Sequence, residues 1–121
     1  MKREVVEAVL EASRNLHPRE TLLLLRGRRG SDGSIVVEEV LVPPLATFGL
    51  GFASFNPFAL PLDPSIVGSA HSHPSGDPSP SVQDLNLGRG PLLMIAASPY
   101  RGLMDIHIYT PSGEELDFEV E

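Results

Sequence analysis

The feature that most constrains this fold is a short polar stretch in mid-chain, where two histidines lie one residue apart and Pro74 follows. The largely apolar run 66–72 predicts a buried strand that the proline ends. Side chains alternate across a strand, so His71 and His73 share one face and Ser72 lies on the other. Asp84 follows at the start of a predicted short helix. The stiff loop between them must therefore turn the chain back and bring the carboxylate to the strand end.

Two imidazoles and one carboxylate form a ligand set that zinc accepts readily. His71, His73 and Asp84 are therefore predicted to hold one zinc ion per chain and to leave a fourth position for water. Zinc lowers the pKa of a bound water towards about 7, which makes hydroxide available at neutral pH. The chain has no cysteine, so any metal must be held by His, Asp or Glu. These residues predict a hydrolytic zinc site.

Two further residues complete the predicted chemistry. Glu20 lies between the first predicted helix and the first strand, and is predicted to be the base that passes the water's proton to a leaving amine. Ser81 has a competing interpretation, because a serine three residues before an acidic residue resembles a capping box at a helix start. The tetrapeptide alone leaves both roles open for Asp84. The Ser81 hydroxyl can also do both jobs, as a cap and as a stabiliser of a developing oxyanion.

The remaining pattern predicts one α/β domain over residues 1–121. Apolar residues at spacings of three and four predict a helix over 3–16, which Pro18 ends. The further elements expected are strands at Thr21–Leu25, Ile35–Val42, Ile66–Ser72, Leu92–Ala97, Leu103–Tyr109 and Glu115–Val120, and a short helix at Ser81–Leu87. This order predicts a sandwich around one mixed, mostly antiparallel sheet flanked by helices.

Residues 45–64 are rich in Leu and Phe but punctuated by glycine and proline. An apolar loop of this length is uncommon unless it is functional. It is interpreted either as a loop folded onto the core or as a mobile flap that grips a partner. The flap would bind its substrate through four aromatic side chains: Phe48, Phe52, Phe55 and Phe58.

Charge and composition exclude several classes of function. The formal net charge of -7 argues against nucleic acid as a partner, because phosphate binding needs concentrated Lys and Arg. Apolar runs are too short to span a bilayer, which argues against a membrane protein. No signal peptide is visible at the start of the chain. A cytoplasmic location is therefore expected.

The two histidines, Pro74, Ser81 and Asp84 match the full motif of the JAMM (MPN+) zinc metalloproteases, and Glu20 lies where that family carries its catalytic glutamate. The resemblance covers essentially the whole chain, which looks most like a stand-alone archaeal member and is similar to the catalytic domain of the proteasome-lid deubiquitinase. It implies an MPN/cytidine-deaminase-like fold. It also implies that His71, His73 and Asp84 bind zinc, that Glu20 is the acid/base, and that Ser81 stabilises the oxyanion.

The same resemblance implies an isopeptidase. Its substrate would be the bond between the C-terminal glycine of ubiquitin, or of a ubiquitin-like modifier, and a lysine. The partners it implies are the modifier, its conjugates and a proteasome. No nucleic acid or membrane partner is expected, and the protein is expected to be a monomer or a homodimer. Residues 45–64 fall where family members clasp the modifier's tail. The alternatives are a non-catalytic MPN scaffold, which the intact motif disfavours, and a RadC-like or sulfur-carrier-processing metallopeptidase.

Overall fold

The computed structural model describes residues 1–42, 47–49, 52–54, 64–87 and 90–121, and of residues 47–49, 52–54, 86 and 87 it describes the backbone alone. The helices are α1 (Arg3–Leu16) and α2 (Val82–Leu87). The strands are β1 (Leu22–Arg29), β2 (Ile35–Leu41), β3 (Thr47–Gly49), β4 (Phe52–Ser54), β5 (Ile66–His73), β6 (Leu92–Ala97), β7 (Ile106–Tyr109) and β8 (Glu115–Leu116).

Six of these strands form one sheet in the order β2-β1-β5-β6-β7-β8. The β5–β6 pair is parallel, and the other pairs are antiparallel. A parallel pair needs a crossover connection, and α2 lies in the one between β5 and β6. The predicted α/β architecture with a mixed, mostly antiparallel sheet is therefore confirmed.

The two helices pack on opposite faces of this sheet. The apolar stripe of α1 buries Val5 and Val9 against a core that includes Leu25 and Met94. Alternation puts Leu93, Ile95 and Tyr109 on the other face, where they pack against Leu85 of α2. The odd-numbered residues Ser69, His71 and His73 of β5 share that second face, since their β6 partners are Leu93, Ile95 and Ala97. The fold thus places α2 over the face that carries both histidines.

Four predicted elements were wrong in their bounds by more than one residue. The first strand covers Leu22–Arg29, so it continues four residues beyond the predicted end at Leu25. Two short paired strands, β3 and β4, lie within the segment predicted to be a loop. Leu103–Asp105 forms a 3-10 turn, so β7 begins only at Ile106. The last strand ends at Leu116, whereas it was predicted to reach Val120.

The segment beyond Leu116 is held by the other terminus of the chain. The Met1 ammonium group donates to the Glu119 carbonyl at 3.0 Å, and the Glu121 N–H donates to the Met1 carbonyl at 2.8 Å. Phe118 and Val120 pack against the core from this extended segment. Their alternation therefore reflects core packing without pairing in the sheet. In the described part of the chain, neither helix is long and apolar enough to cross a membrane.

Candidate metal centre

The end of β5 and the start of α2 bring the three predicted ligands together. His73 Nε2 lies 2.9 Å from Asp84 Oδ2, and His71 Nδ1 lies 3.6 Å from Asp84 Oδ1. All three side chains are buried, with exposed fractions of 4% for His71 and 8% for each of the other two. One carboxylate therefore faces two imidazoles at a largely dehydrated site, where an electrostatic interaction is stronger than in water.

The start of α2 orients this carboxylate. The Asp84 N–H donates to Ser81 Oγ at 3.0 Å, and the Ser81 N–H donates to Asp84 Oδ2 at 2.8 Å. This reciprocal pair is a capping box with an aspartate in the acidic position. The capping interpretation of Ser81 and Asp84 is therefore confirmed, and it does not compete with a ligand role. The cap fixes the carboxylate in the orientation that meets His71 and His73.

The loop between the histidines and α2 orients the second imidazole. His73 Nδ1 lies 2.8 Å from the Asp77 carbonyl oxygen, so this nitrogen carries the donated proton and Nε2 faces Asp84. The Tyr109 hydroxyl donates to the Pro78 carbonyl at 2.5 Å and ties the same loop to β7. Partners of this kind hold a metal-binding ring in orientation. Sequence reasoning missed both contacts; alternation along β7 could have placed Tyr109 on the histidine face.

Burial and hydrogen bonding shift the pKa values of the three side chains in this cluster in different directions. Burial lowers the pKa of His71 to about 4, although the charge of Asp84 opposes the shift. Burial raises the pKa of Asp84, but hydrogen bonds from His73 and from the Ser81 N–H outweigh it and hold that pKa at about 2. Burial also lowers the pKa of His73, but its bonds to Asp84 and Asp77 raise it overall. The cluster therefore favours an ionised Asp84 and a neutral His71, the states that metal ligands need, whereas His73 must lose its Nε2 proton when a metal binds.

The donor set fits zinc in its chemistry and approximate spacing. Zinc–ligand distances of about 2.0–2.1 Å in a tetrahedron place neighbouring donors about 3.3 Å apart. The N–O distances of 2.9 and 3.6 Å lie on either side of that value. Among the described residues, however, no group of three or more His, Cys, Asp or Glu side chains is already arranged as a complete metal-binding cluster.

Glu20 approaches this cluster from the neighbouring strand. In the β1–β5 ladder Leu22 pairs with His71, and the same register continued two residues further faces Glu20 towards His73. The charge of Glu20 contributes to the raised pKa of His73. Glu20, His73 and Ser81 line one open cleft of about 380 Å³. The structure thus brings all five predicted polar site residues to one place.

The structure describes the four phenylalanines predicted to grip a substrate only in part. Phe48 and Phe52 lie on the paired strands β3 and β4, but their side chains are outside the description. Phe55 and Phe58 lie wholly outside the described residues. Their contact with a substrate stays a prediction.

The sequence is similar to those of known metalloprotease-like proteins. Residues 2–109 match the family described as prokaryotic homologs of the JAB domain. The chain is 35% identical over 124 aligned residues to a "Probable metalloprotease" of Haloferax volcanii, covering 97% of this chain and 76% of that protein.

Solved structures resemble the fold. A JAB1/MPN domain protein from Archaeoglobus fulgidus matches with a TM-score of 0.67 and 29% identity, covering 96% of this chain and 89% of the other. A structure described as "JAMM: A Metalloprotease-like Zinc Site in the Proteasome and Signalosome" matches with a TM-score of 0.68 and 31% identity, covering 100% and 97%. A protein from Desulfitobacterium hafniense shares the fold at 23% identity and a TM-score of 0.60, covering 99% and 90%.

Proposed function

This chain belongs to the prokaryotic JAB-domain family of metalloprotease-like proteins, and we propose that it is a zinc isopeptidase. The bond hydrolysed joins the C-terminal glycine of ubiquitin, or of a ubiquitin-like modifier, to a lysine amine. The observation that carries the proposal is the convergence of His71, His73 and Asp84 beside Glu20, where His73 opens into the cleft that Glu20 and Ser81 also line. That set combines metal ligands with a proton acceptor.

When bound to His71, His73 and Asp84, zinc supplies a Lewis acid that polarises the scissile carbonyl and lowers the pKa of water. Glu20 takes the proton of the attacking water and delivers it to the departing lysine amine, so the bond breaks without releasing a strongly basic anion. Ser81 Oγ already accepts the Asp84 N–H, which leaves its own hydroxyl proton free to stabilise the oxyanion. The Asp77 carbonyl holds His73 in the tautomer that turns Nε2 towards Asp84.

The cleft beside the predicted ligands is the place where we expect the extended, small-residue tail of the substrate to bind. Its walls are formed by the proline-rich loop 74–80 together with Glu20 and Ser81. Ubiquitin-like modifiers end in two glycines, which need no side-chain pockets in the cleft. Recognition of such a tail as an added strand would use backbone hydrogen bonds.

The proposal is tested by incubating the zinc-loaded protein with a modifier joined to a lysine side chain. We expect release of the free modifier, loss of release after a chelator removes zinc, and recovery when zinc is restored. A linear fusion of a sulfur-carrier protein, which also ends in Gly-Gly, serves as the second substrate. Cleavage that persists after chelation would exclude the zinc mechanism. Cleavage of the linear fusion alone would favour sulfur-carrier processing, and no cleavage of either would favour a non-catalytic scaffold.

Shortening the segment 48–58 should raise KM for the modifier about tenfold while the protein keeps one zinc ion per chain. The reason is that a clasp over the modifier's tail contributes binding energy remote from the reacting bond, and tenfold in KM corresponds to about 1.4 kcal/mol. Lengthening the turn at Ser31 is the matched control, since this exposed turn lies at the end of β1 remote from Glu20. An unchanged KM in the shortened variant would favour the interpretation as a loop folded onto the core.

A further inference from the structure

Ser72 lies between the two predicted zinc-binding histidines but faces the opposite side of the sheet. We propose that Ser72 is a positioning residue for the catalytic glutamate: its hydroxyl anchors the chain beside Glu20 to the strand that carries His71 and His73. This inference rests on the isopeptidase function proposed above. Ser72, the residue between the two histidines, is needed neither to bind zinc nor to transfer a proton, and the inference gives it a separate role.

Two hydrogen bonds carry the inference. The Thr21 N–H donates to Ser72 Oγ at 2.8 Å, and the Ser72 N–H donates to the Thr21 carbonyl at 3.3 Å. Thr21 follows Glu20 directly in the chain. Both bonded residues are shielded from water, with exposed fractions of 1% for Thr21 and 0% for Ser72. The segment that presents Glu20 is thus tied at two points to the segment between the ligands.

The position of these bonds explains why a side chain is needed there. The β1–β5 ladder ends at the pair Leu22 and His71, and the same register continued by one residue sets Thr21 beside Ser72. At that pair a hydroxyl accepts the N–H, in the role that a carbonyl has along a regular ladder. The serine side chain thus ties the residue just before β1 to β5, one position beyond the last pair of the ladder. One position further along, Glu20 and His73 both line the open cleft.

Loss of this anchor should affect catalysis more than binding. Without the Ser72 hydroxyl the Thr21 N–H has no acceptor in a dry environment, and the chain would shift to reach another one. A displacement of about 1 Å at a catalytic group can lower the rate about 100-fold. The three zinc donors lie on the other face of the sheet and at the start of α2, so zinc binding should persist.

The test compares Ser72→Ala with Ser13→Ala in the zinc-loaded protein. Ser13 is the matched control because it is also 0% exposed and its hydroxyl also makes one short bond, to the Val9 carbonyl at 2.7 Å within α1. We expect Ser72→Ala to lower kcat about 10- to 100-fold with KM changed less than about twofold, and Ser13→Ala to leave both near wild type. Ser72→Cys, which keeps the volume and has a weaker acceptor, should lose less than Ser72→Ala and serves if the alanine variant does not fold. Equal turnover in the serine, alanine and cysteine proteins would overturn the proposal.

A double variant separates positioning from general destabilisation. If Ser72 acts through Glu20, adding Ser72→Ala to Glu20→Gln should reduce turnover no further. A full additional 10- to 100-fold loss would overturn the proposal, because it would show that the hydroxyl acts independently of the glutamate.

A measurement that needs no substrate distinguishes this proposal from the isopeptidase proposal. Amide hydrogen exchange at Thr21 should be at least about tenfold faster in Ser72→Ala than in wild type, and unchanged in Ser13→Ala. If the wild-type protein cleaves no modifier yet Thr21 shows this change, the isopeptidase proposal fails and the anchor is supported. If Thr21 exchange is unchanged, the anchor is overturned whatever the activity.

Discussion

Replacement of Glu20 by glutamine should lower kcat for isopeptide cleavage by about 10²–10⁴-fold, the range that a positioned acid–base group contributes. Glutamine keeps the size and polarity of the side chain but cannot take a proton from water or return one to an amine. Glu20 is not one of the three predicted zinc ligands, which are His71, His73 and Asp84. Zinc content should therefore stay at one ion per chain, as measured by metal analysis of the purified variant.

Glu38→Gln is the matched control for this prediction. Glu38 is also half-buried, but it lies on β2 and faces Arg28 at 3.8 Å, at an edge of the sheet away from the cleft. Its loss should change turnover by less than about twofold, since partly exposed ion pairs contribute little. If Glu20→Gln retained more than about a tenth of wild-type turnover, proton transfer would have to be assigned to another group.

The sequence predicted the elements whose cause is local. Helix α1 was predicted at its observed bounds, because its apolar stripe is continuous and Pro18 follows closely. Strand β6 was also predicted at its bounds, since its six-residue apolar run has the length of a buried strand and is too short for a typical helix. The tail 117–121 was misassigned because its hydrogen bonds join residues more than a hundred positions apart. Alternation records which residues face the core, but it does not reveal the backbone partner.

In the candidate site, too, the sequence predicted some features and missed others. The meeting of His71, His73 and Asp84 followed from strand alternation and from the stiff loop after Pro74. The supporting contacts of Tyr109 and the Asp77 carbonyl did not, because one comes from a distant strand and the other is a backbone atom. Backbone acceptors carry no side-chain signature, so a pattern of residue types cannot predict them. The ligands of a site are thus easier to infer than the groups that orient them.

Replacement of Asp84 by asparagine should reduce zinc affinity by more than about 100-fold, beyond the range that changes in supporting residues usually cause. Asparagine retains one carbonyl oxygen that can accept the Ser81 N–H, so the start of α2 can still be capped. It has no negative charge, and its amide NH2 group cannot coordinate zinc as a carboxylate oxygen does. Metal analysis after dialysis should find well under one zinc per chain, with turnover lost in proportion.

The matched control is Asp105→Asn, because it separates the ligand role of a buried carboxylate from its structural role. Asp105 is 7% exposed, close to the 8% of Asp84, and it likewise accepts a backbone N–H, from Arg101 at 2.7 Å. No histidine is within ion-pairing distance of Asp105 in the described residues. Its replacement should lower the free energy of unfolding by about 1.5–3 kcal/mol while zinc and turnover stay near wild type. If both variants lost zinc alike, the loss would reflect weakened folding. If Asp84→Asn alone lost it, the carboxylate that caps α2 would also be the third ligand, because its capping oxygen Oδ2 faces His73 and its other oxygen Oδ1 faces His71.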